Sequence, residues 1–216
     1  MPIRTVASSA RSVSFAMARN AVALRTRELL LGASVATLLL ASAPVSAQTS
    51  TWADFAGANW GAPASWTNNT VPNAAGATAI FNAQALTSLG VDLSGGPFTV
   101  GTLSLRNPVN GGFFFQLGTL AMNRVGAASI VVETENALSP EFGNSAALRL
   151  DANTRVNTVN ATSVFRITGN VSGVGSLQKN GPGTMVMQGT GTYAGGTRVS
   201  GGRLTIAGGS ALADGG

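Results

Sequence analysis

The feature that most constrains the fold is a glycine-punctuated alternation in residues 173–206, GVGSLQKNGPGTMVMQGTGTYAGGTRVSGGRLTI. Met185 and Met187 lie two residues apart, and Leu204 and Ile206 repeat that spacing, so each pair points to one face of a strand. Turn residues at which a positive φ costs little separate these runs, namely Asn180-Gly181, Gly195-Gly196 and Gly201-Gly202. The stretch therefore predicts three short strands, each with one apolar face, separated by glycine turns.

Alternation of the same kind runs upstream of this stretch. Apolar residues two positions apart recur at Phe98 and Val100, Leu103 and Leu105, Ile130 and Val132, Leu148 and Leu150, and Phe165 and Ile167. We interpret the recurring leucines as comparable positions of successive coils, with the 27 residues from Leu177 to Leu204 close to one coil. The pattern predicts about six or seven stacked coils of a β-solenoid. The alternative is an antiparallel β-sandwich, whose strands recur about every 8–12 residues.

The first 47 residues predict export. Residues 29–43 form an uncharged apolar run that follows Arg19, Arg25 and Arg27. At about 15 residues the run is short for a membrane span, which needs roughly 20. Small residues precede Ala47, so we predict a signal peptide over 1–47 that is cleaved between Ala47 and Gln48. Met17 would open a leader of more ordinary length, which leaves Met1 and Met17 as alternative starts.

The positive charge of the chain belongs mainly to this leader. The whole chain carries 13 basic and 8 acidic residues, a net charge of +5. Five arginines and Glu28 lie in 1–47, so the leader accounts for +4 and the remainder for only +1. Such a distribution is typical of a targeting signal and argues against a nucleic-acid-binding surface.

All three tryptophans cluster in residues 51–81, directly after the leader. Trp52, Trp60 and Trp66 suggest two interpretations. Exposed indoles would form a surface for stacking on carbohydrate, whereas buried indoles would cap the open end of a solenoid and cover its core. We favour the cap and place it over 48–97, with the coils over 98–216.

The residue types exclude most catalytic chemistry. The chain has no His and no Cys, which removes Ser-His-Asp and Cys-His sites as well as thiolate and imidazole metal sites. Glu133 and Glu135 share a strand face, but two solvated charges are a more ordinary explanation than a glycosidase pair. No phosphate-binding glycine motif occurs. We therefore predict no enzyme activity, no catalytic residue, no cofactor and no metal site.

Residues 173–206 resemble the passenger-associated β-strand repeat of bacterial autotransporters. The matching positions are Gly175, Leu177, Lys179, Gly181, Gly183, Thr184, Gly189, Tyr193, Gly195, Gly196, Thr197, Val199, Gly202 and Leu204. The resemblance implies that nine of these form the turns and core of the repeat: Leu177, Gly181, Gly183, Tyr193, Gly195, Gly196, Val199, Gly202 and Leu204. Spaced tryptophans followed by Pro72-Asn73 and by Ile80-Phe81 also resemble the opening of many such passengers.

What the resemblance implies is a right-handed parallel β-helix that serves as a display stalk and assists its own secretion by stacking its repeats. Its expected partners are the Sec export machinery and an outer-membrane β-barrel. Its expected location is the cell surface or the extracellular space, or the periplasm if the chain is truly truncated. No barrel follows the repeat within the 216 residues, so we expect an amino-terminal piece of a passenger. A free-standing secreted adhesin and a polysaccharide-binding β-helix, with a host or glycan ligand, remain alternatives.

Overall fold

The computed structural model describes residues 47–54, 58–82, 89–107, 112–134, 139–208 and 210–212. These residues contain two short 3-10 helices, Pro63–Ser65 and Thr67–Asn69, and no α-helix. No helix among them is long and apolar enough to cross a membrane. The strands are β1 (Thr49–Thr51), β2 (Ala58–Asn59), β3 (Thr78–Asn82), β4 (Leu89–Asp92), β5 (Phe98–Val100), β6 (Thr102–Asn107), β7 (Phe113–Gln116), β8 (Gly118–Met122), β9 (Ala128–Thr134), β10 (Glu141–Phe142), β11 (Ala146–Leu150), β12 (Thr154–Thr158), β13 (Val164–Ile167), β14 (Val171–Gly173), β15 (Leu177–Asn180), β16 (Thr184–Met187), β17 (Thr197–Val199) and β18 (Arg203–Ile206).

The strands form three parallel sheets that wind as a β-solenoid. The first sheet has the order β1-β3-β6-β9-β12-β15-β17, the second β2-β4-β7-β10-β13-β16-β18 and the third β5-β8-β11-β14. Every pairing between these strands is parallel, which confirms the all-β solenoid and excludes the antiparallel sandwich. The right hand of the helix stays a prediction. We call one circuit of the chain through the first and second sheets a coil.

Register places like residues above one another in the interior. In the second sheet Phe115 pairs with Phe142, Phe142 with Ile167, and Ile167 with Met187. All four side chains are buried in one core cluster. Because successive side chains of a strand point to opposite faces, the residues between them lie outside, as Arg166 does. The predicted alternation of buried and less buried side chains is confirmed along β7 and β13, whereas in β16 Val186, between Met185 and Met187, is buried as well.

The structure corrects the predicted coil repeat. Residues 177–206 hold four strands rather than three. Leu177 pairs with Thr197, so the step between coils here is 20 residues and not 27. Leu204 instead pairs with Met185 in the second sheet, and Leu148 lies in the third sheet. The leucines are therefore not equivalent positions. Alternation predicts which side chains point inward. Because the pattern is the same in all three sheets, it does not indicate to which sheet a strand belongs.

The proposed leader lies outside the described residues, apart from its last position. Ala47 is exposed, and the carbonyl of Gln48 accepts a hydrogen bond of 2.6 Å from the backbone N–H of Thr78 in β3. Within the part of the chain that the structure describes, backbone pairing with β3 therefore includes Gln48, the residue after the predicted cleavage position. The cleavage itself and the domain boundaries at 47/48 and 97/98 stay predictions.

Candidate functional site

The amino-terminal coil is filled by the three tryptophans. Trp52, Trp60 and Trp66 are all buried in the main core cluster. Burial of an indole requires a partner for its N–H. The Nε1–H of Trp60 donates to the carbonyl of Pro72 at 3.1 Å, and that of Trp66 donates to the carbonyl of Trp60 at 2.7 Å. With all three rings inside the core, none of them offers a face for stacking on a sugar.

Aromatic contacts continue from these indoles into the solenoid. The ring centroids of Trp60 and Phe98 lie 5.9 Å apart, and those of Phe81 and Phe115 lie 5.4 Å apart. Phe115 in turn stacks on Phe142 at 4.6 Å with an interplanar angle of 17°. These distances fall in the range of favourable ring packing. The amino-terminal end is thus joined to the coils above it by a continuous aromatic core.

Three glycines of the repeat lie in the left-handed region of φ. Gly181, Gly196 and Gly202 have φ values of +77°, +69° and +66°. A Cβ added to Gly202 would lie 2.2 Å from the carbonyl oxygen of Gly183 in the preceding coil, whereas one added to Gly196 would meet no atom within 4 Å. At position 202, both the positive φ and the close approach of the Gly183 carbonyl therefore require glycine. At position 196, the positive φ alone favours glycine. Gly183 and Gly195 are crowded by backbone atoms at 2.4 Å.

The predicted core positions of the repeat divide into two groups. Leu177 and Tyr193 are buried, and the hydroxyl of Tyr193 forms a hydrogen bond with that of Thr197. Leu204 is only partly buried although it packs against the core. Val199 is 49% exposed. Both less buried residues belong to the coil formed by β17 and β18, the last coil among the described residues, which we call the outermost coil in that sense.

Lys179 is a buried charged residue that the predicted set of turn and core positions left out. Its side chain is 0% exposed. The ammonium donates to the carbonyls of Asn180 at 2.7 Å, Gly181 at 3.0 Å and Gly201 at 3.1 Å. Burial lowers the pKa of this amine from its usual 10.5, because the charged form loses its hydration. Alternation from Leu177 already placed this side chain inside, so the signal was present in the sequence.

The described carboxylates form local contacts with their neighbours. Glu133 pairs with Arg106 at 3.3 Å, and a carboxylate oxygen of Glu141 accepts from the hydroxyl of Thr168 at 2.8 Å. Asp151 pairs with Arg149 at 2.8 Å, which raises the pKa of that guanidinium. Glu135, the other half of the considered pair, lies outside the described residues. Within the described ranges no group of three or more potential metal ligands occurs.

A polar groove crosses the outer surface of the repeat. It lies where β15 faces the turn before β17 and is lined by Ser176, Leu177, Gln178, Gly195, Gly196, Thr197 and Arg198. The Nε2 of Gln178 donates to the hydroxyl of Ser200 at 3.0 Å. The groove therefore offers amide, hydroxyl and guanidinium groups at the surface of two successive coils.

Comparison with known families identifies the repeat. Residues 177–206 match the family model of the passenger-associated-transport-repeat. This match confirms the predicted resemblance over those residues, and together with the parallel β-solenoid it fits a fragment of an autotransporter passenger. Comparison of the whole chain with curated proteins and with solved structures finds no match.

Proposed function

We propose that this chain is a structural display stalk of an autotransporter passenger, and that it assists its own secretion by stacking its coils. The observation that carries the proposal is the position of the matched repeat. Residues 177–206 supply two pairs of stacked strands, β15 with β17 and β16 with β18, in continuous parallel register. The repeat is therefore a unit of coil-on-coil assembly.

Stacking provides a physical basis for assistance in secretion. A coil buries its inward face only when the neighbouring coil is in place, so each added coil lowers the free energy of the growing stack. Folding outside a membrane pore would then oppose backward movement of the chain. The buried column from Phe115 to Met187 is the kind of interior that such growth requires.

The route of export follows from the leader and the family. Residues 1–47 would direct the chain to the Sec machinery, and an outer-membrane β-barrel would carry it to the cell surface or the extracellular space. Among the described residues, Gln48 accepts a backbone hydrogen bond from Thr78 of β3, which is compatible with cleavage before Gln48.

A scaffold without catalysis is the role that we propose for the described residues. Their carboxylates form ion pairs and hydrogen bonds such as that of Glu133 with Arg106. A glycosidase would instead need two carboxyl groups facing each other across a cleft, roughly 5 Å or more apart, with room for a sugar between them.

One observation favours a second candidate, a free-standing adhesin or polysaccharide-binding β-helix. The groove of Gln178, Thr197 and Arg198 presents polar groups of the kind that bind glycans. In this alternative the ligand would be a host or microbial glycan. Binding of labelled glycans by the protein would support the alternative, and loss of that binding in an Arg198→Ala variant would place it at the groove.

The test of the stalk proposal uses the full chain joined upstream of an outer-membrane barrel in a bacterial host. Surface exposure is measured by protease accessibility on intact cells. We compare Gly202→Ala, which should disturb stacking, with Gly196→Ala, which carries the same φ strain without the contact. We expect surface exposure to fall more for Gly202→Ala than for Gly196→Ala.

A variant lacking residues 29–43 provides the control for export, and its chain should remain inside the cell. Equal surface exposure of the Gly202→Ala and Gly196→Ala chains would overturn assistance by stacking while leaving export intact. Retention of the unchanged chain inside the cell would overturn the display role itself.

A further inference from the structure

Lys179 occupies a position that other coils fill with an aliphatic side chain. In the first sheet Leu103 pairs with Ile130, Ile130 with Val156, and Val156 with Lys179. The three aliphatic residues are buried in the core, and Lys179 is buried with them. A buried ammonium loses its hydration and must recover it from neighbouring polar groups. Its retention in this column therefore needs a structural explanation.

The three carbonyl contacts provide that explanation. A lysine ammonium has three N–H donors, and here each has an acceptor. Two acceptors, Asn180 and Gly181, belong to the corner that follows Lys179 in its own coil. The third, Gly201, belongs to the equivalent corner of the outermost coil, between β17 and β18. The side chain thus bonds the corners of two successive coils.

The outermost coil has little apolar burial of its own. Val199, which pairs with Lys179, is 49% exposed, and Ile206, which pairs with the buried Met187, is 39% exposed. Its charged residues Arg198 and Arg203 are exposed cations, so they add no ion pair with the ammonium. Besides its backbone pairing, this coil contacts the preceding one through Leu204, which packs against the core, and through the hydroxyl of Ser200, which accepts from Gln178.

We propose that Lys179 and the carbonyls of Asn180, Gly181 and Gly201 form an inter-coil clamp that fastens the outermost coil to its neighbour. Removal of the ammonium would leave three carbonyls without these donors and would release the Gly201 corner first. The clamp makes attachment of one coil sensitive to one side chain of the preceding coil. The inference rests on the proposed stacking function, but its test needs no secretion.

Hydrogen exchange on the full chain tests the clamp. In Lys179→Met, which keeps the length of the side chain without its donors, the amides of 199–207 should exchange about tenfold faster or more. Amides of β6 and β9 should keep their rates. Gln178→Met is the matched control, because Gln178 also bonds the outermost coil, through Ser200, but at the surface. That variant should change exchange less than threefold, about the effect of a weak surface contact.

Chemical rescue provides a second measurement. Lys179→Ala leaves space next to the three carbonyls, and added propylammonium, which carries three N–H donors, should restore protection of 199–207. Tetramethylammonium, which has no N–H, should not. Unchanged exchange in Lys179→Met would overturn the clamp. The clamp would also be overturned if exchange accelerated equally in β6 and β9, or if the two Met variants had equal effects on exchange. Failure of propylammonium to restore any protection of 199–207 would overturn it as well. None of these results would bear on export, so failure of the clamp is distinguishable from failure of the stalk.

Discussion

The amino-terminal coil and the outermost coil differ in how their inward residues are covered. At the amino-terminal end, Trp52, Trp60 and Trp66 are buried and satisfy their N–H groups within the fold or against the coil above. In the outermost coil, Val199 and Ile206 point along the core columns but remain 49% and 39% exposed. The amino-terminal coil is filled by large aromatic side chains, whereas the outermost coil leaves inward residues partly exposed in the described part of the chain.

These two coils show two ways in which a solenoid coil is stabilised. In the amino-terminal coil, large aromatic side chains fill the interior and contact one another. A repeat coil with small turns and short strands lacks that volume and relies on the coils beside it. The clamp at Lys179 joins the preceding coil to the outermost coil through the carbonyl of Gly201.

The largest expected effect comes from breaking the aromatic end. Trp60→Ala removes a buried ring that contacts Trp66, Phe81, Phe98 and Phe115, so the free energy of unfolding should fall by about 3–5 kcal/mol. Urea denaturation measures the loss. Val125→Ala, at a fully exposed position, should stay within about 0.5 kcal/mol of the unchanged chain. Similar losses in both variants would contradict the view that the tryptophans close this end.

A second prediction compares two isoleucines in one column of the second sheet. Ile167 is buried between coils and pairs with Met187, which pairs with Ile206. Ile167→Ala should lower the free energy of unfolding by about 2–5 kcal/mol, because it leaves a cavity. Ile206→Ala should cost less than about 1 kcal/mol, because much of that side chain is already in water. Chemical denaturation of both variants measures the two losses of unfolding free energy. An equal loss in Ile206→Ala and Ile167→Ala would mean that Ile206 is covered in solution.

The smallest expected effect is the pH dependence of Lys179. Burial lowers the pKa of this amine in the folded chain below the usual 10.5 that it has when unfolded. Between these two values the unfolded chain binds more protons, so the stability of the fold should rise with pH across that window. The slope from one amine is at most about 1.4 kcal/mol per pH unit. Denaturation curves of the unchanged chain and of Lys179→Met are compared over this range, and identical slopes would refute the assignment.

Sequence alone was sufficient for the class of fold and the chemistry of the turns. Strict alternation at Met185 and Met187 requires extended chain, and paired residues such as Gly201-Gly202 require turns. The positive φ of Gly202 follows from these local rules, which need no knowledge of the neighbouring coils. The transport repeat was likewise recognisable at 177–206, because its spacing of glycines and leucines is itself the signal.

What the sequence left open is where each strand lies around the coil. Leu148, Leu177 and Leu204 have the same local pattern but occupy three different sheets. The pattern cannot distinguish the sheets, because each of them places apolar side chains inward. The step of 20 residues from Leu177 to Thr197 depends on how sharply the corners bend, which is a property of the packed stack. Alternation could predict that the Lys179 side chain lies inside, but it could not predict which carbonyls accept its hydrogen bonds.

Sequence patterns were enough to predict that this protein forms short strands with an apolar face, turns at defined glycines and a passenger-type repeat. These properties depend on residues close together in the chain. Only the three-dimensional structure shows that the tryptophans are buried and that the Lys179 ammonium donates to the carbonyl of Gly201 in the next coil. Such contacts join residues about one coil apart, and only the register of stacked strands brings them together.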